Sequence, residues 1–181
     1  MRDVPEHAID RQLRISQVRG VRVQVLRLWR PEAGLLKRLA KVLGADLPIV
    51  PNTTAGERMR LLWTGPGEWT VLNGAPGLEQ DLAAVCGEAL HHLADVTEGR
   101  AILAIEGPAA PAVLAKGCSL DFHPRVFRAG TCAQSLLAQL RVLIERPSEA
   151  PLFNLIVDRT QLAHLQAWLD VAGAEFLDPE A

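Results

Sequence analysis

The chain has 181 residues, 49% of them hydrophobic and 22% charged, with a formal charge of −2. It is long enough for one domain or two closely packed halves with a self-standing core, and its charge gives no reason to expect a nucleic-acid partner. No apolar run is long enough for a membrane span, the first residues lack the apolar stretch of a secretory signal, and 4% aromatics with no Tyr imply an aliphatic core.

Residues 1–20 are polar and basic without periodicity, and read as an irregular arm. The rest, 21–181, reads as one unit made of two halves, about 21–90 and 91–175. Val21, Val23 and Val25 alternate with polar neighbours, as a half-buried strand does, and Leu26 and Leu28 then reverse the phase, which predicts a bulge. Pro31 opens a helix with Leu35, Leu36, Leu39, Val42 and Leu43 on one face, and Gly44 ends it. Asp46–Gly56, with Pro48, Pro51 and Asn52, reads as a loop ordered on assembly. A hairpin follows: Met59–Thr64, Gly65-Pro66-Gly67, Trp69–Leu72. A helix with Leu78, Leu82 and Val85 inward runs to about Leu90.

The second half repeats this order. Arg100–Glu106 is a strand buried on both faces, Pro108 opens a helix, and Gly117 closes it. Leu136–Glu145 and Leu152–Val157 are strands, and Thr160 caps a last helix facing inward through Leu162, Leu165, Leu169 and Val171 or Ala172. First helices starting at Glu32 and Pro108, and last ones near Leu78 and Thr160, suggest two related units. The fold class is α+β, two similar strand-helix-strands-helix subdomains with mixed sheets.

Residues 1–41 hold ten Lys and Arg against four Asp and Glu, a charge of +6, and the remainder carries −8. Either the two regions neutralise each other within one fold, or a basic surface docks on an acidic partner. Cys86, Cys118 and Cys132 form an odd, widely spaced set, which fits free thiols in a reducing cytoplasm.

Reactive arrangements are poorly supported. Cys118 and His123 could make a thiolate with its base, but no third group orients them and no Cys-x-x-Cys spacing supports zinc. His91 and His92 read as cations at a helix end, and His164 as a residue facing solvent or a partner. Gly65-Pro66-Gly67 and Gly107-Pro108 lack the basic and hydroxyl residues of a phosphate cradle. Among the carboxylates Asp95, Glu98, Glu106 and Asp121, Asp95 reads as the cap of a turn. Trp63 and Trp69 pair across the hairpin, with Trp29 nearby. No catalytic, cofactor or metal residue is assigned. The possible subunit interface is Phe122, Arg125, Phe127 and Arg128, whose aromatics and arginines match interface anchors.

The stretch from Asp95-Val-Thr-Glu-Gly-Arg100 through Glu106-Gly-Pro-Ala-Ala110 to Leu114–Gln134 resembles the gamma subunit family of heterotetrameric sarcosine oxidase. Gly65-Pro66-Gly67-Glu68-Trp69 is similar to its Gly-Pro-x-Glu-Trp segment, and Leu162–Leu169 with Trp168 to its closing helix. Thr97 stands where Ser is common and Ser135 where Thr is common, and both keep the hydroxyl. The resemblance implies a fold like the folate-binding domain of aminomethyltransferases. It implies a non-catalytic subunit of a cytoplasmic complex with alpha, beta and delta chains. That complex oxidatively demethylates sarcosine to glycine, passing the one-carbon unit to tetrahydrofolate or releasing formaldehyde, and produces hydrogen peroxide. FAD, FMN, NAD, tetrahydrofolate and zinc would sit on other subunits. A stand-alone tetrahydrofolate-binding or aminomethyltransferase-like protein is the alternative, and a small thiol enzyme a third reading.

Overall fold

Alternation in this chain produces ten strands, and the computed structural model, which describes residues 12–176, arranges them in two five-stranded sheets. The strands are β1 (Arg14–Val18), β2 (Val23–Leu28), β3 (Thr54–Ala55), β4 (Arg60–Gly65), β5 (Glu68–Leu72), β6 (His91–Asp95), β7 (Arg100–Glu106), β8 (Thr131–Leu137), β9 (Leu140–Arg146) and β10 (Leu152–Asp158). The helices are α1 (Ala33–Leu43), α2 (Leu78–Cys86), α3 (Ala110–Ala115) and α4 (Leu162–Gly173).

The sheet orders are β3-β4-β5-β2-β6 and β8-β9-β10-β7-β1. Element for element they correspond: β2 matches β7, β5 matches β10, and the helices α1 and α2 match α3 and α4. The edge strands break the match in chain order. β6 follows α2, whereas its counterpart β1 comes from the N-terminal side of the first unit. The chain therefore crosses between the sheets twice, at 19–22 and at 96–99.

Three apolar clusters explain the layering. Leu26, Leu28, Leu61, Trp69 and Val71 meet Leu35, Leu39, Leu43, Leu78 and Leu82 of α1 and α2. Leu103, Ile105, Ile144, Phe153 and Leu155 meet Val113, Leu114, Leu165 and Leu169 of α3 and α4. Between the sheets, Val23, Leu62 and Leu72 meet Ile102, Cys132 and Ile156. The order of layers is helices, sheet, sheet, helices, and the central strands are buried on both faces.

That double burial accounts for the phase reversal in β2. Its register to β5 and β6 is continuous, with no bulge: Leu26 and Leu28 face the helices, and Val23 faces the other sheet. The irregularity lies instead between Trp63 and Gly65 of the hairpin.

Several other expectations are corrected. Every strand pairing is antiparallel rather than mixed. Residues 14–18 of the expected arm form β1 and pair with β7, while 1–11 lie outside the described residues. The boundary near 90 is crossed by β6, which completes the first sheet. α2 stops at Cys86 because Gly87 turns at φ 56, so His91 and His92 are strand residues, not a helix end. The loop 46–56 is held within this chain: the Trp69 indole N–H donates to the Pro48 carbonyl at 2.7 Å. Ala138 and Gln139, both at positive φ, split the expected strand 136–145 into the hairpin β8–β9. Thr160 lies in a 3-10 turn, Arg159–Gln161, and α4 begins without a side-chain cap. Its inward face uses Ala172, since Val171 is exposed.

Because β1 covers the free edge of β7, removing residues 1–18 is expected to lower the melting temperature and promote association through the uncovered strand. Thermal melts followed by circular dichroism, with size-exclusion chromatography, test this; a truncated monomer with the full-length melting temperature would contradict it.

Candidate functional site

Beside the apolar contacts between the sheets, a polar cluster bridges them. Arg60 of β4 reaches across to Glu145 of β9, whose side chain has no solvent exposure, and donates from Nε at 2.5 Å. Asn154 of β10 donates to the other carboxylate oxygen at 2.8 Å. Arg60 also donates to the Gly56 carbonyl at 3.0 Å and the Thr54 hydroxyl at 2.9 Å. A buried carboxylate is tolerable only with such a full set of donors. On the same side, the Thr54 amide donates to the Gly130 carbonyl and the Cys132 amide to the Asn52 carbonyl, so segment 52–55 seams the sheets together.

Cys132 sits beside this pair. Burial, reinforced by the Glu145 carboxylate, pushes its thiol up to about 12, and the thiol donates to the Trp63 carbonyl at 3.4 Å. Burial also raises the Cys86 thiol. Cys118 donates to the Ser135 hydroxyl at 3.5 Å, whereas His123 Nδ1 accepts from the Arg125 amide at 3.2 Å. The pair singled out for thiol chemistry thus spends its polar atoms on other partners. All three cysteines are free and buried.

The expected interface set divides. Phe122 and Phe127 are core: their rings lie 5.5 Å apart and 5.6 and 6.0 Å from Phe153. Their scarcity in an aliphatic chain reflects one aromatic plug beneath a loop, not anchors for a partner. Arg125 and Arg128 do face solvent, with His123, Pro124 and Val126 beside them. The base of this loop is rigid, because buried Arg146 donates to the Phe127 carbonyl at 2.7 Å and the Glu149 carbonyl at 3.0 Å. Hydrogen bonds from the Val126 and Phe127 amides to the His123 carbonyl close the turn.

Asp95 caps its turn as expected. Hydrogen bonds from Thr97 hold its carboxyl below the ordinary value, and the Thr97 amide lies 2.9 Å from it. The Asp121 carboxylate accepts from the His123 amide at 2.8 Å. Trp63 and Trp69 are register partners, while Trp29 stands apart and exposed. Sequence reasoning missed two clefts at the sheet–sheet junction, of about 750 and 710 Å³. The first gathers Arg19, Arg22, Arg100 and Arg159, which are too scattered along the chain to form a motif.

Comparison with known proteins decides the family. The model of the "Sarcosine oxidase, gamma subunit family" matches residues 33–175. The sarcosine oxidase subunit gamma of Corynebacterium sp. (strain P-1) is 34% identical over 151 residues, 81% of this chain and 73% of that one. The Arthrobacter sp. protein of the same description is 35% identical over 147 residues, 78% of this chain and 70% of that one. This chain belongs to the sarcosine oxidase gamma subunit family.

A chain of the heterotetrameric sarcosine oxidase from Corynebacterium sp. U-96, solved in complex with pyrrole 2-carboxylate, superimposes with a TM-score of 0.84 at 29% identity, covering 95% of this chain and 89% of that one. Aminomethyltransferase T from Bartonella henselae shares the fold at a TM-score of 0.65 and 17% identity, covering 92% of this chain and 47% of that one.

In this gamma-family chain the motif residues hold structure. Within the Gly-Pro-x-Glu-Trp segment, Gly67 at the variable position turns the β4–β5 hairpin at φ 71, where a Cβ would lie 2.4 Å from the Leu28 carbonyl oxygen. Asp95–Arg100 forms the second crossover, and the Thr97 hydroxyl accepts from the Val23 amide at 2.9 Å to lock it against β2.

Arg60→Ala leaves the Glu145 carboxylate buried without its cation and is expected to cost about 3–5 kcal/mol in guanidinium unfolding. The double change Arg60→Met with Glu145→Leu should recover much of that loss. Equal losses from the single and double variants would refute the account. With a thiol-specific chromogenic disulfide at pH 8, native protein should leave Cys132 unmodified, while denatured protein reacts at three sites. Rapid native labelling of Cys132 would contradict the burial described.

Proposed function

We propose that this chain is a non-catalytic, bracing gamma subunit of a cytoplasmic heterotetrameric sarcosine oxidase, assembled with alpha, beta and delta chains. The complex oxidises the N-methyl group of sarcosine, yielding glycine and hydrogen peroxide, and the one-carbon unit passes to tetrahydrofolate or leaves as formaldehyde. FAD, FMN, NAD, tetrahydrofolate and zinc belong to the other subunits in this reading.

The observation that carries it is the end-to-end likeness to a chain of a heterotetrameric sarcosine oxidase, at a TM-score of 0.84 over 95% of this chain. Two features of the site support the non-catalytic role. The thiols are buried, and that of Cys132 is displaced away from the range of a nucleophile. The family motif residues are occupied in turns and crossovers. Buried free cysteines also fit a reducing compartment. Among the described residues no helix is long and apolar enough to cross a membrane.

The exposed turn carrying Arg125 and Arg128 is the docking element in this reading. Its rigid base limits the conformational entropy lost on association.

Co-expressed with the large flavoprotein chains, the protein is expected to co-elute with them and to be colourless once separated. Arg125→Glu with Arg128→Glu should weaken assembly at least about tenfold, as charged interface contacts do, and leave the flavin spectrum of the remaining complex unchanged. A purified free chain that retains flavin or oxidises sarcosine would overturn the reading. Unchanged assembly in the double variant would remove the turn from the interface.

A further inference from the structure

The two crossovers run side by side, and the cleft of about 750 Å³ lies between them, walled by 17–23 on one side and 97–102 on the other. The first crossover, 19–22, carries two arginines and no acid, whereas the second, 96–99, carries only the acid Glu98. The pseudo-symmetric topology brings Arg19 and Arg22 of the first crossover to Arg100 at the start of β7, and Arg159 joins them from the turn after β10. Four guanidinium groups therefore line one recess of small-molecule size.

Their pairing is uneven. Arg100 is paired with Asp158, its register partner. Arg22 has Asp95 only at 3.9 Å, and its firm contact is to the Gly74 carbonyl at 3.0 Å. Arg159 has the Glu98 carboxylate only at 3.9 Å, on a side chain that is 97% exposed, and its firm contacts are to the Glu98 carbonyl at 2.5 Å and the Thr97 carbonyl at 3.2 Å. Arg19 meets no carboxylate among the described residues, and its contact is the Gln17 amide oxygen at 3.5 Å. Loose, exposed pairs of this kind contribute little and exchange readily for a better acceptor. A guanidinium has five N–H donors in a planar fork, and the contacts above leave several unused on Arg19, Arg22 and Arg159. A compact anion with several oxygens can engage two or three such forks at once, and each contact is charge-assisted.

We propose that the cleft between the crossovers is a binding site for a small multivalent oxyanion, a phosphate ester or a di- or tricarboxylate, held by Arg19, Arg22 and Arg159. The Arg100–Asp158 pair forms one wall of the recess. The site shares no residue with the Arg125–Arg128 turn.

The full-length chain is titrated with citrate and, separately, with inorganic phosphate, at ionic strength held constant with sodium chloride, and its melting temperature is followed. Citrate, phosphate or both should raise it saturably, with half-saturation below about 1 mM. A response to citrate alone identifies the carboxylate class, and one to phosphate alone the phosphate class. Arg19→Gln, an exposed change that disturbs no core contact, should raise the half-saturation concentration at least about tenfold. Arg141→Gln in the second cleft should not. The proposal fails if sodium chloride alone reproduces the shift or if Arg19→Gln leaves the half-saturation unchanged. It fails equally if assembly with partner chains abolishes citrate and phosphate binding, since the recess would then belong to a protein segment.

Discussion

The Glu145 carboxylate lies with no exposure in the gap between two sheets, and only a cation delivered from the opposite sheet makes that position tolerable. Arg60 supplies it. The consequence is directional: apolar contacts among Val23, Leu62, Leu72, Ile102, Cys132 and Ile156 would accept small slides of one sheet over the other, whereas the ion pair accepts one alignment. The seam of backbone bonds from 52–55 to 130–132 has its register set by the same alignment, as has the thiol contact of Cys132. The sheets are thus pinned at one side and open into clefts elsewhere.

Pinning fixes the two units in one alignment. Each unit buries one sheet face against its own pair of helices and the other against the second unit. The exchange of edge strands, β1 into the second sheet and β6 as the last strand of the first, ties the units by two crossovers rather than one linker. A body tied in this way transmits load between its surfaces, which suits the bracing role proposed for it. The loop carrying Arg125 and Arg128 rests on the Phe122–Phe127–Phe153 plug and on Arg146, so it is presented on a firm support.

The family motifs gain a physical meaning from this arrangement. At the variable position of the Gly-Pro-x-Glu-Trp segment this chain has Gly67, where the Leu28 carbonyl crowds the place of a Cβ. Asp95 and Thr97 are required because the chain must leave the first sheet and enter the second within a few residues, and their side chains satisfy the amides exposed at that bend. Sequence likeness to the gamma family therefore reports how the sheets are threaded, and the family resemblance and the fold are two views of one constraint.

Local patterns alone determined a good deal here. α1 is bounded by its apolar face and Gly44, β7 by its apolar run, the β4–β5 hairpin by Gly-Pro-Gly, and the repeated order of elements by helix starts at matching intervals. These follow from interactions within a few residues. β6 escaped notice because His91-His92-Leu93-Ala94-Asp95 has little strand character until β2 lies beside it, and β1 because its partner is about ninety residues away. The exposure of Arg125 beside the burial of Phe127, the partner of Glu145, and the meeting of four arginines at the crossovers were decided by tertiary structure only. Each depends on which surfaces two sheets present when they close, a long-range outcome that the spacing of residues along the chain does not encode.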